Sequence, residues 1–155
     1  MRRFNIFKAE VEHDVEDPDG YRGGGIRIAP LLGAAMLGAT LYELPPGQAI
    51  CPYHYEYGNE EWLVVLSGRP WLRHQDGEET LEPGDAVCFP VGPEGAHSVR
   101  NRSDETVRVL MLSTHNEPSV AVYPDSDKLG VWPGDSRDNL MVRRESGVDY
   151  WDREP

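Results

Sequence analysis

Residues 51–68 read CPYHYEYGNEEWLVVLSG, and the alternation inside this stretch decides the class of the chain. Successive side chains of an extended strand point to opposite faces, so His54 and Glu56 share one face while Tyr53, Tyr55 and Tyr57 take the other. After the YGN turn a second strand opens at Glu60-Glu61. Alternation groups Glu61 with Leu63 and Val65, and Glu60 with Trp62 and Val64. Glu61 heads the register better suited to a core, so it is the carboxylate expected to point inward.

Outward from this stretch the same rhythm continues. From Gly25 to about Asn116 short apolar segments recur: GIRIA, AMLGATLYEL, AICPYHY, EWLVVLSG, PWLRH, ETLEP, DAVCFPV, HSVRN and TVRVLMLST. Such spacing predicts an all-β sandwich or barrel. The Asp76-Gly77 pair between PWLRH and ETLEP is the strongest short-range hairpin signal, and Pro83-Gly84 marks a second turn. The 16 Gly and 13 Pro are spread through the chain, which leaves segments too brief for long helices.

One domain is expected over residues 1–155, with residues 1–23 as a polar lead-in arm and a barrel core at about 25–116. The final segment, 117–155, is rich in turn formers yet carries Val131, Trp132, Leu140, Met141, Tyr150 and Trp151. A free tail would not need so many large apolar groups, so it is read as a strap along the barrel or on a partner subunit. The aromatic outer face and this strap together predict a homodimer.

Twenty-seven acidic against fifteen basic residues give a net charge of −12, the wrong sign for a surface that neutralises phosphate backbones, so nucleic acid is not an expected partner. No apolar run approaches the roughly 20 residues that span a bilayer, and the N-terminus turns acidic where a signal peptide would be apolar. Two cysteines, Cys51 and Cys88, are fewer than a disulfide-dependent secreted domain carries. A soluble cytoplasmic protein is the expectation.

Further along, GDAVCFPVGPEGAHSVRN brings in a third strand through a Gly-rich loop, and His97 opens the next. With that segment in view, the stretch from about Leu41 to Thr114 resembles the cupin superfamily. Gly47, His54, Glu56, Glu61 and Gly68 fall on the first motif of that family, and Gly84, Pro90, Gly92, His97 and Asn101 on the second. Four residues separate Gly92 from His97 where the family has two, and Glu56 stands where a third histidine is usual. The chain is also similar to small bacterial single-domain cupins of unassigned function. The resemblance implies a jelly-roll barrel, a double-stranded β-helix, that binds a divalent transition metal through His54, Glu61 and His97.

Glu56 is either a fourth ligand or a hydrogen-bonded carboxylate beside the ion. A set with two histidines and carboxylates suits Fe, Mn or Ni at least as well as Zn. Metal occupancy is expected to fall at low pH as His54 and His97 take up protons. Three functions fit: a metal-dependent enzyme of oxygenase or isomerase type acting on a small polar metabolite, a binding or sensing module for a small-molecule ligand or metal, or a structural cupin that dimerises. His13, His74 and His115 read as ordinary solvated or capping residues. Cys51, three residues before His54, falls in the opposite register and reads, like Cys88, as a small buried or edge residue. Arg73 reads as a surface charge.

Overall fold

The computed structural model describes residues 1–155. Its strands are β1 (Gly24–Arg27), β2 (Leu37–Leu44), β3 (Tyr55–Tyr57), β4 (Glu61–Ser67), β5 (Trp71–His74), β6 (Gly77–Thr80), β7 (Ala86–Phe89), β8 (His97–Arg100), β9 (Val107–Thr114), β10 (Ser119–Tyr123), β11 (Lys128–Trp132) and β12 (Leu140–Arg143). All pairings are antiparallel. Three sheets result, ordered β1-β2-β9-β4-β7, β12-β11-β10-β3 and β6-β5-β8.

The two smaller sheets are joined into one layer by the segment before β3. Its bridges Ala49↔Arg100 and His54↔His97 lay it against β8, while β3 pairs with β10 on its other side. His54 N–H donates to His97 O at 3.0 Å, and His97 N–H returns the bond to His54 O at 2.8 Å. This layer faces the five-stranded sheet across the core, which is the jelly-roll arrangement expected.

Period-two alternation accounts for that core. On β4, Leu63 and Val65 are buried and Trp62 is exposed; on β9, Val107, Val109 and Met111 are buried and Leu112 is exposed. They pack with Leu44, Leu72, Leu81, Phe89 and Val99 in one cluster. Each such side chain contributes about 1.5–3 kcal/mol by leaving water, so the inward register of β4 is held firmly and Glu61 is held with it. The hairpin at Asp76-Gly77 forms one residue earlier than the pair suggests. His74 opposes Gly77, the turn is Gln75-Asp76, and His74 Nδ1 accepts from Asp76 N–H at 3.3 Å.

The structure differs from the sequence reading in several places. GIRIA is a strand only as far as Arg27; Ile28–Leu32 form the short helix α1. Pro30 cannot serve a ladder but fits a first helical turn, and Gly33 closes the helix at φ 75°. AICPYHY is irregular up to His54, because Pro52 has no N–H to give to a neighbouring strand. Arg73 is more than a surface charge: its guanidinium makes a two-pronged salt bridge to Asp125, at 2.5 and 3.0 Å, and lies 3.9 Å over the Tyr53 ring.

The segment read as a strap forms β10, β11 and β12, a meander that continues the sheet from β3. Val120, Ala121 and Val122 pair with Tyr57, Glu56 and Tyr55, so these strands flank the histidine-bearing segment directly. The large apolar groups nearest the C-terminus are not covered within one chain: Leu140, Met141, Tyr150 and Trp151 are all exposed. No helix is long and apolar enough to cross a membrane.

Candidate metal centre

His54, Glu61 and His97 reach one point from three segments that the sequence keeps apart. Glu61 starts β4, the strand between β9 and β7. His54 and His97 oppose each other across the bridge that joins the two smaller sheets. One ligand atom from each of the three residues lies within 4.8 Å of the others. His54 Nε2 is 3.8 Å and His97 Nε2 is 3.7 Å from Glu61 Oε2, too long for hydrogen bonds.

Both imidazoles are oriented by backbone carbonyls. His97 Nδ1 bonds Gly95 O at 2.8 Å, and His54 Nδ1 bonds Pro52 O at 3.1 Å. A carbonyl accepts only, so each Nδ1 carries the proton and each Nε2 turns a lone pair toward Glu61. The rings are held further by stacking. Phe89 lies parallel to His97 at 3.7 Å between centroids, and Tyr123 of β10 stacks on His54 at 5.7 Å.

Once Glu61 is ionised, three acceptors thus face one another with no donor among them. Burial, and then repulsion from Glu56, pushes the Glu61 carboxyl up to about 7. Burial, and then the neighbouring His54, holds His97 down to about 3. His54 is lowered too, mainly by burial. Two neutral nitrogens and a strained carboxylate are the donor set a divalent transition metal would relieve, so the residues fit such an ion.

These shifts change the expected proton competition. His97 stays neutral well below the usual histidine range and His54 is lowered in the same direction, so near neutral pH Glu61 is the group that must lose a proton to bind metal. Apparent affinity should therefore fall about tenfold per pH unit below roughly pH 7 and level off above it, with one proton released per ion. Titration with Zn(II) across that range checks this. A flat profile, or the release of two protons, would contradict it.

Around the trio lies a cavity of about 330 Å³, which also takes in Glu56. Glu56 stands beside the three converging residues and not among them. Its carboxyl is raised chiefly by burial. Cys51 lines the cavity as well, with Sγ 3.5 Å from His54 Nδ1, and burial pushes its thiol up to about 12. The register argument placed Cys51 away from the site, but alternation does not hold through the bends around Pro52. Thr40, Tyr42, Met111 and Ser113 complete much of the wall. The sequence reading did not single them out, since it is the pairing of β2 with β9 that brings them together. His13, His74 and His115 lie elsewhere, bonded to Glu43, Asp76 and Ala35.

The family model described as a cupin domain matches residues 40–113, the stretch of the jelly roll that carries His54, Glu61 and His97. No curated protein matches the chain. Among solved structures, a sugar phosphate isomerase of the cupin superfamily from Silicibacter pomeroyi superposes with a TM-score of 0.80 at 23% identity, covering 97% of this chain and 98% of that one. A protein from Acidithiobacillus ferrooxidans, provisionally assigned as a sugar phosphate isomerase, gives 0.81 at 26% identity over 93% and 91%. The polyketide cyclase RemF from Streptomyces resistomycificus gives 0.60 at 24% identity over 77% and 83%.

Proposed function

We propose that this protein is a divalent-metal-dependent isomerase of a small sugar phosphate, with His54, Glu61 and His97 as the metal ligands. The observation that carries the reading is the convergence of two neutral Nε2 lone pairs and a carboxylate with no donor between them. The substrate class is supported by the full-length likeness, at 26% identity, to a protein provisionally assigned to that activity.

A bound divalent ion would supply Lewis-acid polarisation of adjacent carbonyl and hydroxyl oxygens. The chain supplies the rest. Isomerisation moves one proton from the hydroxyl-bearing carbon beside a carbonyl to the carbonyl carbon, and a second from that hydroxyl to the carbonyl oxygen, with no net oxidation. Glu56 is the proton carrier in this account, since it lines the cavity and burial raises its carboxyl above the usual carboxylate range, which makes it a better base for the exchanging proton. Met111, Ile50 and Val99 supply apolar wall to the cavity.

The test incubates metal-loaded protein with aldose and ketose phosphates in D₂O and follows deuterium at the exchanging carbon by NMR. Glu56→Gln should keep the metal and lose exchange by about 10²–10⁴-fold. No exchange by the wild type with any aldose or ketose phosphate would sink the isomerase reading. Loss of metal in Glu56→Gln would instead make Glu56 a ligand.

The active form in this proposal is a homodimer. Leu37, Trp62 and Leu112 share an exposed apolar face, and Leu140, Met141, Tyr150 and Trp151 stand uncovered in the single chain. Light scattering should give twice the chain mass of 17.4 kDa. A monomer at tens of micromolar would overturn it.

A further inference from the structure

We infer that Arg27 is the anchor for the substrate's phosphate group, an assignment that rests on the sugar phosphate reading above. Arg27 is the only arginine or lysine lining the cavity around the metal ligands. It also lines a second cavity, of about 480 Å³, that shares Gly38, Ala39, Thr40 and Glu56 with the first. Arg27 therefore stands at the waist that the two cavities share, with the metal ligands lining one and His115 and Trp132 lining the other.

Its surroundings suit an anion. Arg22, Arg69, Arg73 and Arg144 each hold a carboxylate of the chain, whereas the Arg27 guanidinium has no such partner and remains exposed at the rim. Arg27 ends β1 opposite Thr40 of β2, and Gly38 lies opposite Ser113 of β9. A methyl at position 38 would collide with Ser113 Oγ, so the absence of a side chain there leaves the Ser113 hydroxyl room over β2. One guanidinium fork and the Thr40 hydroxyl thus line the waist, with the Ser113 hydroxyl on the wall of the first cavity beside it, and such a group of donors matches the oxygens of a phosphate monoester.

Electrostatics makes this cation necessary to the account. The protein carries a net charge of −12, and two carboxylates, Glu56 and Glu61, face the cavity. A dianionic substrate entering that field needs a local positive group outside the metal itself, and Arg27 is placed to provide it at the entrance. The phosphate would then stay at the waist while the polyhydroxy end reaches Glu56 and the metal ligands.

Inorganic phosphate is the probe, titrated by ³¹P NMR into full-length protein stripped with chelator, so that no ion can bind it. Wild type should bind, and Arg27→Ala should weaken binding about tenfold or more, with Arg27→Lys between them. Arg27→Ala should still take up metal as wild type does, because Arg27 is not a ligand. In the metal-loaded enzyme the same variant should raise KM for a sugar phosphate far more than it lowers kcat. Equal phosphate binding by wild type and Arg27→Ala overturns the assignment, as does a wild type that binds malonate but not phosphate. Phosphate binding that depends on Arg27 in a protein that takes up no metal supports the anion site and overturns the metal-dependent reading, so the two fail separately.

Discussion

Replacing His97 with alanine should lower metal affinity by at least about a hundredfold, since changes even to groups behind a ligand cost about 10–100-fold. The neutral Nε2 of His97 is one of three atoms in the converging set, and the Nδ1–H bond to Gly95 O fixes its aim. The ring also stacks on Phe89, so the alanine variant loses packing as well as a ligand. Glu61→Gln separates these effects. It keeps the volume at the head of β4 but removes the charge, and the relief of the strained carboxyl, raised to about 7, should leave the metal-free variant at least as stable as wild type. Both variants should lose tight binding, measured by calorimetry with Zn(II) and Mn(II). Wild-type affinity in Glu61→Gln with an intact fold would show that the carboxylate is not a ligand.

Asn101→Leu should destabilise the protein by about 3–5 kcal/mol, with no direct effect on metal ligation. Asn101 is fully buried, at 0% exposure. Its amide donates to Leu44 O at 2.8 Å and Glu105 O at 2.7 Å, and its Oδ1 accepts from the Ser103 N–H at 2.9 Å and hydroxyl at 2.7 Å. Leucine would leave the buried Leu44 carbonyl, the part-buried Glu105 carbonyl and the Ser103 donors to find other partners, at about 1–3 kcal/mol for each group left unsatisfied. Asn101→Asp keeps the acceptor side but sets a carboxylate oxygen against two carbonyls, so it should cost at least as much. Urea unfolding reads both. A change below about 1 kcal/mol in either would show that this network does not hold β8 to β2.

The sequence spoke clearly where the strands are regular. Glu61, Leu63 and Val65 fall inward as alternation required, because β4 keeps regular register between its two neighbours over these residues and shifts only after Val65. His54 and Glu56 could be put on one face by spacing. That His97 would oppose His54 could not be seen, because an isolated bridge between distant segments leaves no local trace. Cys51 was misplaced for a related reason: register arithmetic assumes extended backbone, and the bends before His54 break it.

The C-terminal segment shows another limit. Its turn formers and large apolar groups suggested a strap, and composition does not reveal that Ser119–Tyr123 would pair with β3. Arg73 and Asp125 illustrate the same point for charge. Each looks like an ordinary surface residue in sequence, and only the fold makes them a clasp that fastens the YPDSD turn to β5, beside Tyr123 and His54. Arg27 was not singled out at all, because a lone arginine at the end of a short strand carries no signal until the cleft around it exists.

The most direct test of the account is the metal content of protein purified without chelator or metal-affinity tag, aerobically and anaerobically, and measured by elemental analysis beside His97→Ala. The account predicts about one divalent transition metal per wild-type chain, in keeping with one set of converging ligands, and none in the variant. Wild-type protein that holds no metal in either preparation, and takes up none when Mn(II), Fe(II), Ni(II) or Zn(II) is added at neutral pH, would contradict it.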